Sequence, residues 1–190
     1  ENLSNAFAAA LVALGLKKGD RVVLVLPNCP QSLIAQFGAW KAGGIVVPLN
    51  PLYTERELEH ALNDCGAEIA VVLTPFYSKI KALQERTRLH RVIATNIKEY
   101  LPSIQMALFT LFKEKKEGHR ISIKPGDFGM SELLKRYEGT SPPAVQVGPD
   151  DLALLLFSGG TTGTPKGAVG THHALVMAGM QLHAWFGGVV

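Results

Sequence analysis

Four short apolar runs rich in β-branched residues recur along this 190-residue chain: Arg21-Val-Val-Leu-Val-Leu26, Ile45-Val-Val47, Glu68 to Leu73 and Arg91-Val-Ile-Ala-Thr95. Runs of this length with no polar alternation suit strands buried on both faces. Stretches with helical character separate them. Ser4 to Leu14 is alanine-rich, with Gly15 placed to end a helix in the left-handed region. After the turn Pro27-Asn-Cys-Pro30, residues Gln31 to Ala42 are apolar nearly all round, which predicts a buried helix stopped by Gly43-Gly44. Thr54-Glu-Arg-Glu57 has capping-box spacing for a helix running to Cys65 and ending at Gly66, and Pro75 to about Glu85 reads as another helix. Strands that alternate with helical crossovers predict an α/β fold, a mostly parallel sheet flanked by helices on both faces.

The alternation weakens over residues 101–128. Ile104 to Phe112 is strongly apolar and runs into Lys113-Glu-Lys-Lys116. Its composition fits a peripheral helix packed on the domain, with peripheral membrane contact as the alternative. Met130 to Tyr137 predicts a short helix capped by Ser131, and the proline-rich stretch of about 139–149 an internal linker. Val169 to Val190 carries no charge if its histidines are neutral, but Thr171, His172, His173, Gln181 and His183 interrupt it, so a buried helix is expected rather than a membrane span.

Composition excludes several classes. Apolar residues at 47% with 18% charged residues describe a globular chain, and the excess of 19 Lys and Arg over 16 Asp and Glu is too small to suggest a nucleic-acid partner. Cys29 and Cys65 lack metal-site or CxxC spacing, which points to small buried side chains in a reduced, cytoplasmic setting. His172, His173 and His183 have no carboxylate or thiol among them and read as helix-surface or core contacts. Glu1-Asn-Leu-Ser has neither an initiator methionine nor a signal-peptide pattern, and the chain stops at Trp185-Phe-Gly-Gly-Val-Val190, so a fragment of a larger domain is expected. Loss of packing partners along Val176 to Val190 would then favour self-association.

The chemistry lies in Ser158-Gly-Gly-Thr-Thr-Gly-Thr-Pro-Lys-Gly167, directly behind the apolar run Leu152 to Phe157. Gly159, Gly160 and Gly163 let the backbone turn closely around an anion, and successive N–H groups in such a turn form an anion-binding nest. Ser158, Thr161, Thr162 and Thr164 add hydroxyl donors, while Lys166 supplies the one positive charge of the stretch. The chemistry selects phosphate. The order is not that of a Walker loop, because glycine follows the lysine and Ala168-Val-Gly170 suits a short strand. The loop is therefore placed between two strands, with helix resuming after Thr171 as N-cap over His172 to Ala184. Neither GxGxxG nor GxSxG occurs in the stretch, which argues against a dinucleotide oxidoreductase and against a serine hydrolase.

SGGTTGTPKG resembles the signature loop of the adenylate-forming superfamily, which includes acyl-CoA synthetases, peptide-synthetase adenylation domains and luciferases. Gly19-Asp-Arg-Val22, Leu26-Pro-Asn-Cys-Pro-Gln31, Ala42-Gly-Gly44, Pro48-Leu-Asn-Pro51 and Leu58 to Leu73 are similar to segments preceding that loop in those enzymes. Tyr53-Thr-Glu-Arg-Glu-Leu-Glu-His60 and Arg91 to Pro102 are most similar to bacterial long-chain fatty acyl-CoA synthetases. The resemblance implies residues 1–190 to be part of the large N-terminal AMP-binding domain, without the C-terminal domain. It implies ATP with Mg²⁺, a fatty acid and coenzyme A as reactants: carboxylate attacks the α-phosphate, pyrophosphate leaves, and the acyl group passes to the coenzyme A thiol. Ser158 to Lys166 would hold the β- and γ-phosphates, with Lys166 and Thr162 acting on the leaving pyrophosphate and a hydroxyl such as Thr161 near Mg²⁺. His173 stands where the superfamily often has Arg or Lys. The adenine, ribose and metal residues would lie beyond Val190, so the fragment alone is expected not to turn over. Two other readings remain: an adenylation domain for an aryl or amino acid, and a non-catalytic phosphate-binding or membrane-interaction module.

Overall fold

The computed structural model describes residues 1–157 and 167–187. Among the described residues seven strands form a single sheet: β1 (Arg21–Val25), β2 (Ile45–Pro48), β3 (Ile69–Leu73), β4 (Arg91–Thr95), β5 (Phe128–Gly129), β6 (Leu152–Phe157) and β7 (Gly167–Thr171), in the spatial order β5-β4-β3-β1-β2-β6-β7. Every pairing is parallel except β6 with β7. The helices are α1 (Asn2–Ala13), α2 (Pro30–Lys41), α3 (Glu55–Cys65), α4 (Tyr77–Ala82), α5 (Ser103–Phe112), α6 (Met130–Arg136) and α7 (His172–Phe186).

The period of two in the central strands divides the core. Val22, Leu24, Val46, Ile69, Val71 and Ile93 turn to one face, where Phe7 and Leu11 of α1, Ala35 and Ala39 of α2 and Leu133 of α6 cover them. Val23, Val25, Val47, Ala70, Val72 and Val92 turn to the other, under Leu58 and Leu62 of α3 and Ile80 of α4. A sheet buried on both faces requires the unalternating apolar runs seen in the sequence. α1 and α2 approach closely at Gly38, where an added Cβ would lie 2.7 Å from Phe7 Cδ1 and 3.0 Å from Phe7 Cβ.

Local signals were decisive where backbone chemistry set the boundary. Thr54 accepts from the Glu57 N–H while Glu57 returns a bond to the Thr54 N–H, and Gly66 ends α3 at φ 61°. Thr171 accepts from the Ala174 N–H as the cap of α7. Several expectations need correction. The α2 helix is buried on one face only: Leu33 and Phe37 are exposed, because neighbours cover just the Ala35–Gly38–Ala39 side. Residues 75–85 form a short α4 flanked by 3₁₀ turns at Thr74–Phe76 and Gln84–Arg86 instead of one continuous helix. Ser131 does not cap α6, whose N-cap is Gly129. The expected buried helix after Thr171 is present but exposed, with no buried residue in α7 and Trp185 85% exposed, since beyond the Trp40 contact at His172 little among the described residues covers it. No helix among the described residues is long and apolar enough to cross a membrane.

Candidate functional site

Ser158, Gly159, Gly160, Thr161, Thr162, Gly163, Thr164 and Lys166, the residues assigned to phosphate from the sequence, lie outside the described residues. The structure defines the frame on either side of them. β6 and β7 pair antiparallel, with Phe157 opposite Gly167, Leu156 opposite Ala168 and Leu155 opposite Val169. Residues 158–166 therefore connect strand ends whose Cα atoms are roughly 5 Å apart in such a pairing. This places the connection between two strands, as the residues after Lys166 had suggested. Because β6 runs parallel to β2, its Phe157 end lies at the carboxyl edge of the parallel sheet, the edge where open α/β sheets take their ligands.

Both ends of the hairpin are anchored. Phe157 is buried in the core beneath α3 and α4, with Leu155 packed against the same cluster. Gly167 lies close over the same side chains: a Cβ there would stand 2.9 Å from Leu155 Cδ1 and 3.6 Å from Phe157 Cζ, so the Leu155 side chain would have to shift to admit one. At the opposite end, the Trp40 indole N–H donates to the Ala153 carbonyl at 2.7 Å, fastening α2 to β6. The ladder shifts register between Leu152 and Leu154, so Ala153 sits at an irregularity where an extra donor holds the strand. Asp151 fixes the entry to β6: its carboxylate accepts from the Gly148 N–H at 2.6 Å and pairs with Lys18 Nζ at 2.7 Å. The Lys18 bond and the Gly148 N–H hold the Asp151 carboxyl below the usual carboxylate range. His172 meets Trp40 edge-on at 6.0 Å, and burial lowers its imidazole pKa against the opposing pull of Asp151.

The histidines of the β7–α7 junction act through their backbones. The His172 N–H donates to the Asp151 carbonyl at 3.0 Å and the His173 N–H to the Pro149 carbonyl at 2.9 Å. Both residues border an open cavity of about 630 Å³ between Trp40, Lys41 and the 142–149 stretch. That cavity lies at the amino end of β6, away from the Phe157–Gly167 end. Sequence reasoning missed Trp40, Asp151 and Lys18 as supports of the hairpin. Their partners lie far along the chain, and a lone tryptophan at the end of a helix carries no signature of the strand it will meet.

A second polar group stands at the carboxyl edge. Gln31 is fully buried at the start of α2, its Nε2 donating to the Asn96 carbonyl at 3.0 Å while its Oε1 has no partner among the described residues. Asn96 Nδ2 donates to the His119 carbonyl, and His119 Nδ1 shares a 2.8 Å hydrogen bond with Thr74 Oγ1. Glu99 accepts from the Thr95 hydroxyl and the Asn96 N–H, yet burial pushes its carboxyl pKa up. These bonds tie together the ends of β3 and β4. Cys29 and Cys65 are buried free thiols, as expected, and burial raises the Cys65 pKa.

Fold and hairpin define an open, doubly wound α/β chain with its distinctive glycine-threonine sequence joined to the carboxyl end of a core strand. The chain belongs to the AMP-binding enzyme family, whose model matches residues 1–188. It is 40% identical to a long-chain-fatty-acid–CoA ligase of Escherichia coli O157:H7 over 98% of this chain and 34% of that protein. It is 35% identical to the corresponding ligase of Bacillus subtilis (strain 168) over 94% of this chain and 32% of that protein. The chain thus spans about a third of the length of these relatives. Among solved structures it is similar to a long-chain-fatty-acid-CoA ligase from Archaeoglobus fulgidus, with a TM-score of 0.74 and 27% identity over 96% of this chain and 31% of that one. ATP-bound MatB from Rhodopseudomonas palustris gives a TM-score of 0.71 and 26% identity over 97% of this chain and 31% of that one.

Proposed function

We propose that this chain forms the phosphate-holding part of an ATP-dependent, AMP-forming fatty acid–CoA ligase, with residues 158–166 cradling the β- and γ-phosphates. The observation that carries the reading is near-complete coverage of the chain by relatives named long-chain-fatty-acid–CoA ligases at 35% and 40% identity. The anchored hairpin supports it. A cradle that must hold a polyphosphate through the reaction needs ends that do not move, and Phe157 with Gly167, Trp40 with Ala153 and Asp151 with Lys18 meet that need.

In this reaction a fatty-acid carboxylate oxygen attacks the α-phosphorus of ATP, the bond to the bridging oxygen breaks, and pyrophosphate leaves with the electron pair. The coenzyme A thiolate then attacks the acyl carbonyl and AMP departs. Both partners of the first step are anionic, so donors that strengthen their hold as charge moves onto pyrophosphate lower the barrier. Lys166 and the hydroxyls of Ser158, Thr161, Thr162 and Thr164 are the donors this chain contributes. ATP is bound as its Mg²⁺ complex, but among the described residues no group of three His, Cys, Asp or Glu side chains could hold a metal ion.

The test uses a polypeptide of the relatives' length that carries this chain. Fatty-acid-dependent exchange of labelled pyrophosphate into ATP, followed by thioester formation on addition of coenzyme A, is the expected result. Exchange dependent on an aryl or amino acid and absent with fatty acids would assign the loop to another adenylating enzyme. No exchange with any carboxylic acid would leave a non-catalytic phosphate-binding module.

A further inference from the structure

The α5 helix presents its apolar side chains to solvent. Ile104, Leu108, Leu111 and Phe112 recur at i, i+4, i+7 and i+8 and so share one stripe, the pattern that normally faces a core. Here the stripe faces outward: Ile104 is 77% exposed, Leu111 75% and Phe112 71%. The helix is nonetheless held. Phe109, the one buried residue of α5, packs edge-on against His119 at 5.2 Å, and His119 in turn bonds Thr74 at the end of β3. An outward stripe fixed from behind is built to meet something.

Charge says what. Residues 98–124 contain six basic and three acidic side chains and so carry the whole formal excess of +3 of the chain. The acids are engaged: Glu114 pairs with Lys98 at 2.6 Å and Glu117 lies 3.8 Å from Lys113 within the segment, while Glu99 accepts from Thr95 and Asn96 just before it. Lys115, Lys116, Arg120 and Lys124 are exposed and make no salt bridge among the described residues. An apolar helical stripe of about 15 Å followed at once by unneutralised cations matches the interface of an anionic bilayer, where apolar groups enter the acyl boundary and cations meet the headgroups.

We propose that α5 and the basic residues 113–124 form a docking surface for an anionic lipid bilayer, with Ile104, Leu108, Leu111 and Phe112 entering the interface. Docking at this surface is independent of which acid the enzyme activates. The hairpin stands at the opposite side of the sheet, across β3, β1 and β2, so a surface bound at α5 leaves it clear.

Flotation of the 190-residue chain with phosphatidylglycerol–phosphatidylcholine vesicles, against pure phosphatidylcholine vesicles, tests the proposal. Binding is expected to the anionic vesicles only and to weaken with salt. The triple variant Lys115→Gln, Lys116→Gln, Arg120→Gln should bind about 100-fold more weakly, since each surface cation contributes about fivefold. The triple variant Ile104→Ser, Leu111→Ser, Phe112→Ser should lose at least about tenfold. All six side chains are exposed, and circular dichroism confirms that each variant folds. Val176→Ser with Trp185→Ser on the exposed α7 should bind as the parent does. A fluorophore on Leu111→Cys, readable because Cys29 and Cys65 are buried, should shift to the blue with anionic vesicles alone. Absent or headgroup-independent binding would overturn the proposal, as would binding that followed the α7 variant. A change in lipid-free sedimentation on substituting α5, with vesicle binding intact, would make the occupant a second copy and overturn it equally.

Discussion

Replacing Trp40 with phenylalanine isolates the fastening of the loop-bearing hairpin to the body of the fold. The ring stays apolar and aromatic, but the indole N–H that donates to the Ala153 carbonyl at 2.7 Å is gone. A typical intramolecular hydrogen bond contributes about 1 kcal/mol net. The smaller ring also gives up most of its edge-on contact with His172 at 6.0 Å while keeping part of that with Phe37 at 5.4 Å, and such contacts are worth about 0.5–1.5 kcal/mol. The expected loss is about 2 kcal/mol, which for a urea m-value of about 2 kcal/mol/M lowers the unfolding midpoint by about 1 M. Circular dichroism follows the transition, since the substitution removes one of two tryptophans. Amide hydrogen exchange adds location: protection should fall over residues 152–157 and 167–171 more than over β1, β3 and β4. An unchanged midpoint with unchanged protection in β6 would refute the claim that Trp40 holds this strand.

Gly38→Ala should destabilise the chain by up to about 2 kcal/mol, because overpacking of about 1–3 kcal/mol against the fully buried Phe7 opposes a helix-propensity gain of about 1 kcal/mol; a smaller cost of Gly38→Ala in a Phe7→Leu background, read from urea midpoints, checks the cause. Tyr77 donates to Asp127 at 2.6 Å, and burial first, then that bond, push its phenol pKa up to about 12. A raised pKa stabilises fully below the unfolded value of about 10 and is lost as pH rises through the folded one. The stability advantage of the parent over Tyr77→Phe should accordingly shrink between pH 10 and about 12; parallel urea midpoints across that window would contradict it. If the loop alone supplies the nucleotide contacts of this chain, calorimetry should find ATP, GTP and pyrophosphate binding weakly and within about tenfold of one another, a spread of about 1.4 kcal/mol. Tight, ATP-selective binding would move the site elsewhere.

The parallel sheet was legible because burial on both faces writes itself into the sequence as runs such as Val22 to Val25 and Ile69 to Leu73, and because Thr54, Gly66 and Thr171 set helix ends through local backbone chemistry. Strand β5 escaped notice: two residues, Phe128–Gly129, carry no periodicity, and they join the sheet because β4 offers them an edge. Burial of whole helices was misread for α2 and α7, since apolar composition says what a helix can cover but not whether a neighbour is there to cover it. The phosphate reading of the loop rests on glycine, hydroxyl and lysine at short range in residues 158–166, which lie outside the described residues. The loop's supports, Trp40, Asp151 and Lys18, depend on contacts such as the one that spans 113 residues between Trp40 and Ala153, and no local pattern records those.

The central claim is that residues 158–166 cradle the departing pyrophosphate. The most direct measurement compares Lys166→Ala and Thr162→Ala with the parent in a polypeptide of the relatives' length, assaying the two half-reactions separately. Fatty-acid-dependent exchange of labelled pyrophosphate into ATP should fall by about 10²–10³, the usual effect of removing one positioned donor from such a site. Thioester formation from preformed acyl-adenylate should fall much less, because pyrophosphate has already left. Equal losses in both half-reactions from folded variants, or no loss in either, would contradict the assignment.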